Sequence, residues 1–248
     1  MKISIVTLFP KMIQGFFEES IVKRATDKQL VEIEFVNLRD FAVNDYGSVD
    51  ERPYGGGAGM ILRIEPIYKA LKKIKVKKSH IILTSAKGRQ FSQKKAIKYS
   101  KLQHLIIIAG HYEGIDERVL EYVDEEISLG DFVMTGGEIT AAAMVDSIVR
   151  LIPGTLKKTQ ATQLESFFEI PLDQLITVIG RTKVLLDLQK KGMKKITLVE
   201  YPHYTRPEDF MGKMVPKVLL SGNHKDIEEW RITEAYRQTL KKRKDLLR

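Results

Sequence analysis

The chain of 248 residues contains no cysteine, one tryptophan and eight prolines. Without cysteine there are no disulfides, no thiolate zinc site and no cysteine nucleophile. No apolar run approaches the roughly 18 residues that a membrane-crossing helix needs. The first residues, MKISIVTLFP, carry one lysine and no small-residue cleavage site, so they read as a buried strand and not as a secretion signal. No G-x-G-x-x-G precedes a ribose-binding acid, and no G-x-x-x-x-G-K-[ST] occurs, so neither a dinucleotide fold nor a P-loop is indicated. His104 and His111 are isolated, without metal-ligand spacing, and read as surface or hydrogen-bonded residues. These absences fit a cytoplasmic protein.

Acids are scarce in one stretch and abundant in the next. From Arg63 to Lys101 there are thirteen Lys/Arg and one acid, Glu65; from Glu113 to Asp146 there are ten acids and one base, Arg118. Each lysine alone is an ordinary solvated position. The stretch as a whole, in a chain of net charge +9, points to a polyanionic partner held by phosphate contacts.

What is present is 43% hydrophobic, enough for a sizeable core. Residues 2–9, 31–38, 80–85, 104–110 and 125–129 read as strands. Residues 12–28, 65–74, 92–101, 115–123 and 138–152 read as helices, with Ser92 as an N-cap and Pro153 as a stop. Nearly all-apolar strands alternating with helices predict an α/β fold around a mainly parallel sheet. Residues 44–60 form a long loop without an apolar period, of the kind that carries function. After Pro153 the texture changes. Residues 154–166 are polar and read as a linker, 170–191 as helical, 194–201 as extended, and 224–242 as a last helix capped from Ser221-Gly222-Asn223. Residues from about 170 on read as a second, mostly helical domain.

Three apolar runs end in small or glycine-containing turns: HIILTSAKGR, HLIIIAGHYEG and EEISLGDFVMTGGE. Ligands of open parallel sheets sit outside the carboxyl ends of the strands. If these three strands are neighbours, Ser85, Gly110 and Gly130 converge on one pocket lined by main-chain groups.

RPYGGGAGM (52–60), GHYEGIDERV (110–119), ISLGDFVMTGGE (127–138), VRLIPG (149–154), YPHYTRP (201–207) and VLLSGNHKDIEEWR (218–231) occur in this order. Together they resemble the bacterial tRNA (guanine-N1)-methyltransferases of the SPOUT superfamily, over nearly the whole chain except about 168–200. The resemblance implies a deep trefoil knot in the α/β domain, followed by a smaller helical domain. The expected organisation is 1–155 for the knotted domain, 156–200 for a linker with an extra segment, and 201–248 for a helical tRNA-binding domain. It implies methyl transfer from S-adenosylmethionine to N1 of the guanosine 3′ of the anticodon, a reaction that supports reading-frame maintenance.

By the same resemblance the cofactor would be held by Leu83, Thr84, Ser85 and Ala86, by Gly110, Tyr112, Glu113 and Gly114, and by Ser128, Leu129, Gly130, Asp131, Phe132, Val133, Met134, Gly136 and Gly137. Guanine N1 carries a proton, so the reaction needs a base and a donor to O6. Arg150 matches the donor position. Glu165 stands where the family has Asp and is the expected base, with Asp173 as fallback. Gly59, His203, Tyr204 and Arg206 would touch tRNA, with the cluster Lys241–Lys244 nearby. The family pattern departs at Ala58, where proline is usual, and at His111, where arginine is usual. A homodimer with its active site between subunits is implied; bound Mg²⁺ fits the family, with no ligand set legible. Two other readings stay open: a related SPOUT enzyme acting on a ribose or another base, and a non-catalytic tRNA-binding module.

Overall fold

The computed structural model describes residues 1–157 and 164–247. The chain divides into two compact units, Met1–Lys157 and Lys158–Arg248.

In the first unit the elements run β1 (Lys2–Thr7), α1 (Ser20–Asp27), β2 (Glu32–Asn37), β3 (Asp50–Glu51), β4 (Ile61–Leu62), α2 (Ile64–Ile74), β5 (Ser79–Gln90), α3 (Gln93–Tyr99), β6 (His104–Ile108), β7 (Glu125–Ser128) and α4 (Glu138–Val149). The five long strands form one parallel sheet in the order β2-β1-β6-β5-β7. The expected α/β architecture with a mainly parallel sheet is thus present. Side chains alternate across the sheet. Leu105 and Ile107 of β6 join one apolar cluster with α1, α3 and α4, while Ile106 and Ile108 join another with α2. Both faces are covered, which is why the strands read as continuous apolar runs.

Several local expectations are corrected. Residues 12–28 are not one helix: two 3₁₀ turns, Pro10–Met12 and Gln14–Phe17, precede α1. Ser20 opens α1 at φ 56°, where the backbone turns sharply. Residues 115–123 wind as a 3₁₀ helix over Glu117–Tyr122, with Asp116 as its cap. Residues 138–152 give a shorter helix, and Arg150 caps its carboxyl end three residues before Pro153. Ser92 caps α3 as expected, its hydroxyl accepting from Lys95 N at 3.4 Å.

The strand expected at 80–85 continues to Gln90. Its ladder with β7 shifts between Thr84 and Arg89, so residues 85–88 bulge outward before the strand rejoins its neighbour. Gly88 makes the return feasible. A Cβ there would stand 2.6 Å from Glu126 C and 2.8 Å from Glu126 O.

His104 is a buried core histidine, bonded to Ser4 Oγ at 3.0 Å and Ser79 Oγ at 2.8 Å. Burial lowers its pKa, with the Lys2 charge acting the same way.

At the sheet edge, Glu125 binds Lys95 Nζ, Lys98 Nζ at 3.0 Å and His80 Nε2 at 3.2 Å. Burial pushes its carboxyl up, but the two lysines outweigh that and hold it at about 2. A carboxylate depressed in this way stabilises the fold fully above its unfolded pKa near 4.5, and the contribution is lost as pH falls from there toward 2. Urea unfolding at pH 5 and pH 3 is therefore expected to show a drop that Glu125→Gln reduces by about 2 kcal/mol. Equal acid sensitivity in the variant would show that the lysine pair contributes nothing.

The second unit contains β8 (Phe168–Pro171), α5 (Leu172–Ile179), α6 (Lys183–Lys190), β9 (Lys195–Leu198), β10 (Asp209–Phe210), β11 (Lys213–Met214), α7 (Lys217–Leu220) and α8 (His224–Lys242). Residues 170–191 therefore hold two helices, broken at Gly180, whose φ is 90°. Asn223 caps α8, its side chain accepting from Lys225 N at 3.1 Å. β8 and β9 pair antiparallel, and Ile170, Leu172, Leu175, Leu185, Leu188, Ile196 and Leu198 pack with Ile232, Ala235, Tyr236 and Leu247. Residues 168–200, expected within an interdomain stretch, thus supply much of this unit's core. Of the expected linker, residues 158–163 lie outside the described residues.

Candidate functional site

Three turns at the carboxyl ends of adjacent strands β6, β5 and β7 enclose a cavity of about 470 Å³. The β5 bulge supplies Ser85, Ala86 and Lys87; the turn after β6 supplies residues 110–117; the loop after β7 supplies Ser128 to Gly137 except Asp131. Ser85, Gly110 and Gly130 converge as the strand-end argument required.

The walls are held by main chain at close range. Gly137 N donates to Gly110 O at 2.6 Å. Thr84 Oγ1 donates to Ile108 O at 3.1 Å and accepts from Gly110 N at 3.3 Å. A Cβ on Gly137 would overlap Thr84 Oγ1 and stand 2.9 Å from Gly110 N. Only glycine permits this approach. Tyr112, at φ 61°, turns the second loop in the left-handed region.

Beneath the third loop lies Glu138, fully buried in the first turn of α4. It accepts from Thr7 Oγ1 at 2.8 Å and faces His111 Nδ1 at 3.4 Å. The amino end of the helix favours its charge. His111 and Gly136 also form an isolated antiparallel bridge. His111, where the family pattern has arginine, therefore ties the second loop to the third.

The lining is acidic. Glu113, Asp116, Glu117 and Glu126 face Lys87 alone among lysines and arginines. Lys87 is paired with Glu117 at 2.9 Å, which raises its pKa. Asp116 is held below the usual carboxylate range by the Arg118 guanidinium, 2.6 Å away.

Of the residues named from the sequence for the cofactor, all but Asp131 line this cavity; Asp131 is exposed beside it. Sequence reasoning missed Lys87, Asp116, Glu117 and Glu126. The signal for Lys87 was a lysine between two small residues after an apolar strand. For Asp116 and Glu117 it was an Asp-Glu pair opening the 3₁₀ helix.

Gly59 lies at φ 82° against Glu113, and a Cβ there would stand 2.8 Å from Glu113 Oε1. Arg150 is half-buried at the end of α4 in the first unit. Glu165 is half-buried in the second unit, and its carbonyl accepts from Phe168 N at 3.1 Å. Neither lines the cavity. Asp173 is exposed in the first turn of α5, facing Gln189 Nε2 at 3.5 Å. In the second unit, His203 Nε2 stands 3.4 Å from Glu200, and the exposed Tyr204 ring lies 6.3 Å from Trp230. Among the described residues no three His, Asp or Glu side chains gather to hold a metal ion, and no helix is long and apolar enough to cross a membrane.

An acid-lined cavity of glycine turns lies outside the carboxyl ends of a parallel sheet, the place where open α/β sheets hold their ligands. Residues 1–248 match the family model "tRNA (Guanine-1)-methyltransferase TrmD". The tRNA (guanine-N(1)-)-methyltransferase of Carboxydothermus hydrogenoformans is 46% identical over 249 residues, covering 100% of this chain and 88% of the relative. The proteins of the same name from Dictyoglomus turgidum (46%) and Anoxybacillus flavithermus (45%) also match over 100% of this chain, and over 90% and 91% of their own lengths. The chain belongs to the tRNA (guanine-1)-methyltransferase family.

Proposed function

We propose that this protein transfers a methyl group from S-adenosylmethionine to N1 of the guanosine 3′ of the anticodon in tRNA. The observation that carries the reading is the acid-lined cavity in a member of this family. Its size suits a folded small molecule. Its four carboxylates suit a ligand with a net positive charge, and its glycines let main-chain groups reach a flat ring.

When bound, S-adenosylmethionine supplies an electrophilic methyl group on a sulfonium. Leu83 to Ala86, Gly110 to Gly114 and Ser128 to Gly137 would hold it, with Asp131 at the margin. Glu165 would accept the N1 proton as the nitrogen lone pair is committed to the new bond. Arg150 would donate to O6, where negative charge builds. The two residues lie in different units, which accords with a homodimer whose active site forms between subunits. Gly59, His203, Tyr204 and Arg206 would contact tRNA. A deep trefoil knot of the SPOUT kind accords with the close passage of the chain at Gly88 and Gly137. The domain assignment proposed is 1–155 for catalysis and 201–248 for tRNA binding, with the β8–β9 stretch joined to the latter's core. A cytoplasmic setting and a role in frame maintenance follow from the substrate. The acids of the described residues do not converge on a Mg²⁺ site, and no step is assigned to that ion.

The test uses two tRNA transcripts that differ only in guanosine or adenosine 3′ of the anticodon. Incubation with S-adenosylmethionine, digestion and nucleoside mass spectrometry are expected to give 1-methylguanosine from the first alone. Tight tRNA binding without any methylated product would replace catalysis with a binding role. A methylated ribose or other base would make it a different RNA methyltransferase.

A further inference from the structure

Of the thirteen basic residues between Arg63 and Lys101, Lys87 alone lines the cavity. The densest part of that run is KKIKVKK, residues 72–78. It lies at the opposite end of the sheet. β5 starts at Ser79, directly after this segment, and reaches the cavity at Leu83 and Thr84. At about 3.3 Å per residue the separation is roughly 15 Å along the strand. α2 runs the other way. Ile61, just before it, lines the cavity, and its last residue, Ile74, lies inside the basic segment. Ser79 pairs with His104 at the start of β6, which brings Lys101, in the preceding turn, to the same edge.

This edge carries its charge without neutralisation. Lys72, Lys73, Lys75, Lys77, Lys78 and Lys101 are all exposed, and among the described residues none forms an ion pair. Lys2, Lys23, Lys87, Lys95 and Lys98 of the same unit each have a carboxylate partner. The acids at the start of β7 are already engaged: Asp124 accepts from Ile81 N at 2.7 Å, and Glu125 holds Lys95 and Lys98. The α2 dipole favours Lys72 and Lys73 in its last turn. It does not account for Lys75, Lys77 and Lys78, which lie beyond the helix. The turn that presents them is fixed: Val76 N donates to Ser79 Oγ at 2.9 Å, and Ser79 Oγ is bonded to His104 Nδ1 at 2.8 Å. One helical turn before Lys72, the half-exposed Tyr68 ring meets the Tyr122 ring edge to face at 5.1 Å.

We infer that this edge of the sheet is a docking surface for RNA backbone, separate from the site of methyl transfer. Lys72, Lys75, Lys77 and Lys78 contact phosphates, and Tyr68 meets an unpaired base. Clustered lysines without acid partners bind a polyanion by releasing its counterions. The tyrosines beside them favour RNA over other polyanions, because unpaired bases stack on such rings. A base at the cavity cannot also lie on this edge of the same subunit. The surface rests on the proposed reading for the identity of its RNA, a part of the tRNA away from the reacting guanosine.

The test measures tRNA affinity of the full chain across a salt series. The variants are Lys72→Gln, Lys75→Gln, Lys77→Gln and Lys78→Gln combined, and Tyr68→Leu alone. Tm and S-adenosylmethionine binding report on the first unit and are expected to stay at wild type. The four-lysine variant is expected to bind at least about tenfold more weakly, with the slope of log affinity against log salt smaller by roughly three. Tyr68→Leu should weaken binding about fivefold at the wild-type slope. Methylation at saturating tRNA should keep its rate in both, so that the loss falls on KM and not on kcat. A wild-type salt slope in the four-lysine variant would make these ordinary solvated lysines and overturn the surface, with methyl transfer left standing. Wild-type affinity in Tyr68→Leu, or lysine-dependent flotation with phosphatidylserine vesicles in place of the RNA effect, overturns the assignment to RNA. A wild-type chain that methylates no nucleoside yet shows the lysine-dependent slope overturns the methyltransferase reading and supports this surface.

Discussion

Glu165→Gln is expected to lower methyl transfer by about 10²–10⁴-fold, the usual contribution of a positioned general base. Glutamine keeps the size and the hydrogen-bonding reach of the side chain but cannot accept the N1 proton. Binding of S-adenosylmethionine should be unchanged, because Glu165 lies outside the cavity. Calorimetry and single-turnover methylation together separate the two effects. Restoring a carboxylate as Glu165→Asp should restore most of the rate, since aspartate is the residue the family pattern carries there. Full turnover in the glutamine variant would transfer the role to Asp173, and the same measurement on Asp173→Asn would decide it.

Gly137→Ala is expected to act on the fold and the cavity at once. The added carbon would overlap Thr84 Oγ1 and press on Gly110 N, both part of the wall between adjacent strands. Neither neighbour is the free end of a flexible side chain, so backbone must move. Overpacking of this kind costs about 3 kcal/mol at its upper range. For a chain of this size that corresponds to a fall in Tm of roughly 6–12 °C. Calorimetry should show the loss of S-adenosylmethionine binding in the same variant. Gly15→Ala is the control: nothing lies within 4 Å of a carbon added there. Its Tm is expected to stay near wild type. Equal behaviour of the two variants would mean that the glycine loops close less tightly than the structure shows.

Much of the first unit was legible because its strands are buried on both faces. An apolar run such as HLIIIAG leaves few alternatives, and its glycine end points to the ligand side of the sheet. The β5 bulge was not legible. Residues 85–88 look like the end of a strand, and only the β7 backbone beside Gly88 shows that the strand resumes. The helix expected at 12–28 had suitable spacing, but local spacing cannot register the turn at Ser20. Glu138 opens the helix expected at 138–152, and its burial against Thr7 comes from a contact 131 positions away in sequence. How residues 168–200 pack was not legible for a similar reason. Their apolar faces are completed by α8, which follows only after residue 223.

The Gly137–Gly110 and Gly110–Thr84 hydrogen bonds join segments 26 or 27 positions apart in the chain. None of the three turns makes a wall of the cavity until the other two have arrived. Chain entropy must be surrendered across two long closures before any of these contacts forms. The cavity is therefore a property of the completed unit, with no half-built version in a partly ordered chain. A ligand that enters it can bind only the folded form, and its occupancy is written into the melting curve. At a concentration one hundred times its dissociation constant, such a ligand adds about 2.7 kcal/mol to the stability of that form.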